Sequence, residues 1–231
     1  CTDPLAYNYD EAATVDDGSC IDGPELTTIA EIQENFSTYD GELVTVEGVV
    51  TIGDGLLYPE RTKFYIQDES GKGIQIFNYD VISPQNVRGE KISVIGAVTK
   101  YNDDVEIVAP EGGELQVTVD SSSNSLPAAH VVDGNEDLIM NGTWATAIGV
   151  LSDYWKYCSG NDCDNNPPTF TALTVELDNG NQVQCMFWDS AVPADNLVQY
   201  EDQVGEDIAI SGVITFYNGN VQLTAGYADD I

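Results

Sequence analysis

Five side chains near the amino terminus have the types and spacing to hold a hard cation. Asp3, Asn8, Asp10, Asp16 and Asp17 all fall between Cys1 and Cys20. Ca2+ takes about six to eight oxygen ligands from carboxylates, amide oxygens and backbone carbonyls, so such a loop is a candidate Ca2+ site. The Asp-x-Asp-x-Asp-Gly order and closing Glu of a helix-loop-helix calcium site are missing. The plainer account is an acidic, turn-rich cap held by its disulfide alone. A second group is aromatic: Tyr154, Trp155 and Tyr157 cluster around Lys156, and Tyr217 precedes Asn218-Gly219. Rings of this kind stack on sugars or bases, anchor a partner protein, or simply fill a core. A catalytic set is hard to assemble. Nucleophile-base schemes would all depend on the one histidine, His130, which lies in Pro127-Ala128-Ala129-His130-Val131-Val132 with no motif around it. Phosphate-binding glycine loops are missing, and no carboxylate pair stands in a recognisable context. The expectation is a protein that is not an enzyme.

Charge narrows the partners. Forty Asp and Glu stand against seven Lys and Arg, for a net charge of -33. Such a surface repels phosphate backbones, whose neutralisation needs Lys and Arg, and it repels anionic membranes. It suits an exterior rich in salt or Ca2+, where cations screen the self-repulsion. Arg61, Lys63, Lys72, Arg88, Lys91 and Lys100 precede residue 120, and Lys156 is alone after it. A polyanion contact would therefore fall on the first half, although a salt-bridged, solvated face explains those six residues more simply. Nucleic acid is the least expected ligand.

Cysteine usage points outside the cell. With one histidine and no Cys-x-x-Cys pair, a zinc site is not expected. Cys1 with Cys20, and Cys158 with Cys163, bracket loops rich in Asp, Asn and Gly, which reads as two disulfides formed in an oxidising compartment. Cys185, in Val183-Gln184-Cys185-Met186-Phe187, reads as a small buried apolar residue. A cysteine at position 1 also admits a lipid anchor, but Cys20 offers it a better partner. No stretch approaches the roughly 20 apolar residues of a membrane span.

The elements that must position these residues are strands, and they come twice. Gly89-Glu90-Lys91-Ile92 through Gly96 and Thr99 to Tyr101-Asn102 matches Gly205-Glu206-Asp207-Ile208 through Gly212 and Thr215 to Tyr217-Asn218, at a constant offset. Gly41 to Val49 matches Gly142 to Val150 once an insertion carrying Cys158 and Cys163 is allowed. This is a duplicated domain. Each copy has a long first strand with a mid-strand glycine (Gly48, Gly149), then a hairpin (62–68 with 73–77; 171–177 with 183–188). A longer connection follows, then two strands joined tightly at Asn102-Asp103 or Asn218-Gly219. Five strands in this plan make an OB-type Greek-key barrel. The expected organisation is a disulfide-closed motif over 1–22, barrel one over 24–119, a polar linker over 120–127 and barrel two over 128–231. Apolar spacing in Thr28 to Phe36 adds a short helix ahead of the first barrel. In such barrels the loop after strand one and the turn between strands four and five flank the ligand groove. That places Tyr154, Trp155, Tyr157 and Tyr217 as its candidate contacts.

Two resemblances attach to these residues. Val46-Glu47-Gly48-Val49-Val50-Thr51, Phe64-Tyr65-Ile66-Gln67-Asp68 and Gly73-Ile74-Gln75-Ile76-Phe77 resemble the OB-type domains appended to secreted bacterial nucleases and phosphoesterases. Cys1-Thr2-Asp3-Pro4 through Asp16-Asp17-Gly18-Ser19-Cys20 is similar to a repeat of secreted surface proteins and adhesins from Bacteroidetes-type marine bacteria. The second implies secretion and a cell-surface setting. Two functions follow as expectations. One is a structural or adhesive surface protein, self-associating into filaments or meeting other surface proteins, with Ca2+ supporting its contacts. The other is an accessory module of a secreted hydrolase that binds polysaccharide or nucleic acid.

Overall fold

The computed structural model describes residues 1–2, 12–20 and 23–231. Two closed sheets account for nearly all of it. The first contains β1 (Leu43–Ile52), β2 (Thr62–Gln67), β3 (Gly73–Asn78), β4 (Lys91–Tyr101), β5 (Asp104–Val108) and β6 (Gln116–Ser121). Their order is β1-β2-β3-β5-β4-β6, and pairing of β1 with β4 closes five of them into a barrel. The second contains β7 (His130–Val131), β8 (Trp144–Cys158), β9 (Pro168–Leu177), β10 (Gln182–Trp188), β11 (Asp207–Tyr217) and β12 (Asn220–Ala225). Its order is β11-β12-β10-β9-β8-β7, closed by β11 against β8. Both barrels have three consecutive antiparallel strands and a parallel pairing of the third with the fifth, which is the OB plan.

The duplication extends to register. Gly48 faces Ile92 in β1–β4, as Gly149 faces Ile208 in β8–β11. Gln75 donates to Glu106 across β3–β5, and Gln222 donates to Gln184 across the matching β10–β12 pair. Gly149 is required by close approach: a Cβ there would lie 2.1 Å from the carbonyl oxygen of Glu176. Each sheet gains one strand that the sequence plan lacks. β6 extends through Asp120 and Ser121, so the linker is shorter than the polar run that suggested it. β7 runs parallel beside the start of β8.

Alternation along the strands fills two cores. Val46, Phe64, Ile66, Ile74, Ile76, Ile92, Val94 and Ile107 close the first, and Leu173, Val175, Val183, Cys185, Phe187, Ile210 and Leu223 the second. Cys185 is buried and unpaired, and burial pushes its thiol far above the ordinary range. The expected helix is α1 (Ile29–Glu34), followed by a single turn, α2 (Phe36–Tyr39). Thr28 caps α1, Asp68 and Ser70 accept its first free amides, and Ile29 and Ile32 seal the first core. Both disulfides, Cys1–Cys20 and Cys158–Cys163, are formed. No helix among the described residues is long and apolar enough to cross a membrane.

Candidate ligand-binding face

Since Leu173, Val175, Val183, Cys185 and Phe187 point inward, alternation turns Phe170, Ala172, Met186 and Trp188 outward. Trp188 pairs with Phe170, and Tyr157 pairs with Phe170 from the other side. The ladder thus sets four rings together on the outside of the second barrel. Tyr157 stacks on Phe170 with ring centres 5.2 Å apart and planes 15° apart. Trp155 and Trp188 meet Phe170 edge-on at 5.3 and 5.6 Å. Such contacts are worth about 0.5–1.5 kcal/mol each beyond burial and hold the rings still. Tyr157 and Trp188 are each 37% exposed, so the cluster is a platform open to solvent.

The sequence-predicted residues divide. Trp155 and Tyr157 belong to the platform, within β8 itself rather than in the loop beyond it. Tyr154 does not belong: it alternates inward, packs on the second core and buries its hydroxyl. Tyr217 is 65% exposed but stands at the other end of the face. It pairs with Asn220, level with Gln182, six residues of strand from Trp188. That is about 20 Å at about 3.3 Å per residue. Phe170 and Trp188 were missed. Trp188 read as the end of a hairpin strand and Phe170 lay outside the expected strand, so neither showed which way it faced.

The same face of the first barrel is largely covered. The segment from Asn141 to Trp144, leading into β8, lies along the outward side of β2, β3 and β5. Gly73 donates to the Thr143 hydroxyl at 3.1 Å, and the Trp144 amide donates to Gln67 at 2.7 Å. Buried Gln33 bridges the carbonyls of Gly73 and Asn141 at 2.9 and 3.0 Å, and Asn141 donates to Asp104. Backbone touches backbone here: a Cβ on Gly73 would sit 2.0 Å from the carbonyl oxygen of Gly142. Beside it, Ile52, Leu57, Tyr65, Trp144 and Val213 form one apolar cluster spanning both barrels.

Most of the positive charge is also engaged. Arg88 pairs with Asp230, and Lys91 pairs with Glu47 at 3.2 Å. Lys63 is half-buried near Asp104 and Glu106; burial pushes its ammonium down and both carboxyls up. Lys72 meets the Met140 sulfur, Lys100 lies 5.0 Å over the Phe36 ring and Lys156 lies 5.6 Å over Tyr154. The expected salt-bridged face is therefore mostly a set of cations laid against rings, a sulfur and buried carboxylates.

The remaining candidates lie apart. Asp3, Asn8 and Asp10 are outside the described residues. Asp16 and Asp17 close local turns, accepting from Gly18, and from Ser19, at 2.9 Å. The Ser19 hydroxyl also donates to Asp17, and these bonds hold its carboxyl below the ordinary range. No group of acidic, His or Cys side chains among the described residues is arranged to hold a metal. His130, on β7, faces Glu136 at 3.2 Å.

No family model matches the chain. Over 121 residues it is 30% identical to Endonuclease YhcR of Bacillus subtilis (strain 168), a match covering 51% of this chain and 9% of the nuclease. Among solved structures, a replication protein A heterotrimer bound to ssDNA aligns over 78% of this chain and 47% of its own, at 16% identity and TM-score 0.35. A murine DNA-binding protein bound with dsDNA aligns over 80% of this chain and 95% of its own, at 9% identity and TM-score 0.38. The chain thus resembles a small part of a bacterial nuclease in sequence.

Proposed function

We propose that the chain is an extracellular, non-catalytic ligand-binding module whose platform is the Trp155–Tyr157–Phe170–Trp188 face, with the first barrel as its rigid support. Ligand binding is better supported than a structural or adhesive role. The observation that carries it is that four rings converge on an open face of the second barrel, while the first barrel's equivalent sheet is largely covered. The limited identity to a nuclease agrees with an accessory module beside a hydrolase.

Polysaccharide is favoured over nucleic acid. Single-strand binders combine stacking rings with a basic groove that follows the phosphates. The second barrel has Lys156 as its only basic residue, and that side chain lies over Tyr154. Sugar rings stack on aromatics without needing that charge.

Titration calorimetry of the full chain against neutral oligosaccharides and oligo-dT tests the reading. Trp188→Ala is expected to weaken glycan binding by about tenfold, the scale of one lost stacking contact. Oligo-dT binding that exceeds glycan binding and falls steeply with salt overturns the choice of ligand. Ca2+ support of the amino-terminal loop is a separate proposal, resting on its carboxylates. Added Ca2+ raises the unfolding temperature if it holds and leaves it unchanged if it does not.

A further inference from the structure

The duplication places a second platform at the matching position of the first barrel, with a cation at its centre. The ladders set the equivalence. Ile76 pairs with Ile107 as Cys185 pairs with Leu223, and Phe64 pairs with Ile76 as Leu173 pairs with Cys185. Continuing along each hairpin, Arg61 takes the place of Phe170 and Tyr79 that of Trp188. Phe170 is the ring that Trp155, Tyr157 and Trp188 all meet. Arg61 is likewise a hub: its guanidinium carbon lies 4.8 Å from the centre of the Tyr79 ring and 5.3 Å from that of Tyr58. Phe77 meets Tyr79 edge-on at 5.2 Å. Tyr79 is 72% exposed and Tyr58 45% exposed, so this end of the hairpin stays open where the rest of the sheet is covered.

In a chain with forty carboxylates, no acidic side chain among the described residues lies within ion-pair distance of Arg61. Its neighbours Glu60 and Asp80 are both exposed and leave it free. The other arginine, Arg88, is fully engaged with Asp230.

We propose that Tyr58, Arg61 and Tyr79 form an anion-accepting subsite for a sugar ring carrying one carboxylate. The sugar class rests on the glycan reading of the second barrel; the charge preference is independent of it. A planar guanidinium offers two parallel donors that match a carboxylate, and the flanking rings hold it in place for that pairing. One cation in so acidic a surface suits a single carboxylate, not a polymer charged at every residue. Short stretches of chain lead from both platforms to one seam. Leu57, next to Tyr58, belongs to the cluster spanning the barrels, and Ala191, three residues past Trp188, packs on that cluster.

The chain has two arginines and three tryptophans, so the Nε–H and indole N–H signals of the 15N-labelled 231-residue chain report each site separately. The probes are methyl glucuronide, methyl glucoside and oligo-dT. The expected result is a saturable shift of the Arg61 Nε–H with the glucuronide at an affinity about tenfold above the glucoside, the scale of a charge-assisted pair. Arg61→Gln, at a partly exposed position, abolishes that preference and leaves glucoside shifts at Trp188 intact. Arg61→Lys keeps the charge and loses most of the preference. Equal response to both sugars, or a preference surviving in Arg61→Gln, overturns the proposal, as does an Arg61 response to oligo-dT stronger than to glucuronide. Shifts at Trp188 alone sink this subsite and spare the second-barrel platform. Shifts at Arg61 alone do the reverse, and silence at both sinks both.

Discussion

Arg88 of the first barrel grips Asp230 of the second in a two-pronged pair, with nitrogen-to-oxygen distances of 2.7 and 2.8 Å. The guanidinium also donates to the Thr51 carbonyl at 2.8 Å and lies 3.6 Å from the centre of the Tyr227 ring. Burial pushes the Asp230 carboxyl up and Arg88 pulls it back down. Removing one partner strands the other charge in a buried site. Arg88→Ala is therefore expected to cost about 3 kcal/mol in denaturant unfolding. Lys91→Ala, which breaks the exposed pair with Glu47, is expected to cost under about 1 kcal/mol. Equal effects would mean that the seam pair is not special.

Gly73 and Gly142 let the two barrels touch backbone to backbone. Gly73→Ala puts a methyl group where the neighbour is a carbonyl oxygen that cannot swing aside. The expected cost is about 1–3 kcal/mol, the range for overpacking. Amide exchange at Gly73 and Trp144 should speed up together, because their N–H groups donate to the Thr143 hydroxyl and the Gln67 side chain across this contact. Unchanged exchange there refutes the role assigned to this contact.

Stability is expected to fall as pH rises from acid to neutral. Burial raises the carboxyls of Asp54, Asp104 and Glu106 above their ordinary 3.8, 3.8 and 4.5. A carboxyl raised by folding contributes its stability below the unfolded value and loses it as pH climbs through the folded value. Lys63, pushed down from 10.5, acts in the opposite sense and only toward alkaline pH. Repulsion within the net charge of -33 grows over the same acid-to-neutral window. Melting temperatures at about pH 3.5 and about pH 7 check this, and the double variant Asp104→Asn with Glu106→Gln should flatten the difference. A melting temperature that rises with pH contradicts it.

Two exposed aromatics separate the platform from the rest of the face. Trp188→Ala is expected to weaken oligosaccharide binding about tenfold. Tyr217→Ala, about 20 Å away along the strands, is expected to change it by less than about twofold. Affinity electrophoresis in gels containing polysaccharide compares them directly. A larger loss with Tyr217→Ala would move the binding site to the β11–β12 turn.

Much of the architecture could be read from local pattern. Alternation in Leu43–Ile52 and Lys91–Tyr101 follows from one face being buried, and the paired runs around Gly96 and Gly212 carry the duplication directly. Asn102 and Asn218 mark the tight turns because both adopt positive φ, at 55° and 52°, which asparagine tolerates. Side-chain direction near strand ends was harder. Trp155 faces out and its neighbour Tyr154 faces in, and a register irregularity in β8 between Leu151 and Asp153 decides which is which.

The sequence by itself determined the two OB-type barrels, the disulfide pairings and the acidic surface, because strand alternation, turn residues, cysteine spacing and charge are local quantities. Only the tertiary structure decided where a ligand can sit. Phe170 and Trp188 meet Tyr157 and Trp155 through ladder register across three strands, and Arg61 is matched to Phe170 by the same kind of register. The packing of Asn141–Trp144 on the first barrel depends on Gly73, Gln33 and Gln67, residues distant in sequence that converge only once both barrels have formed.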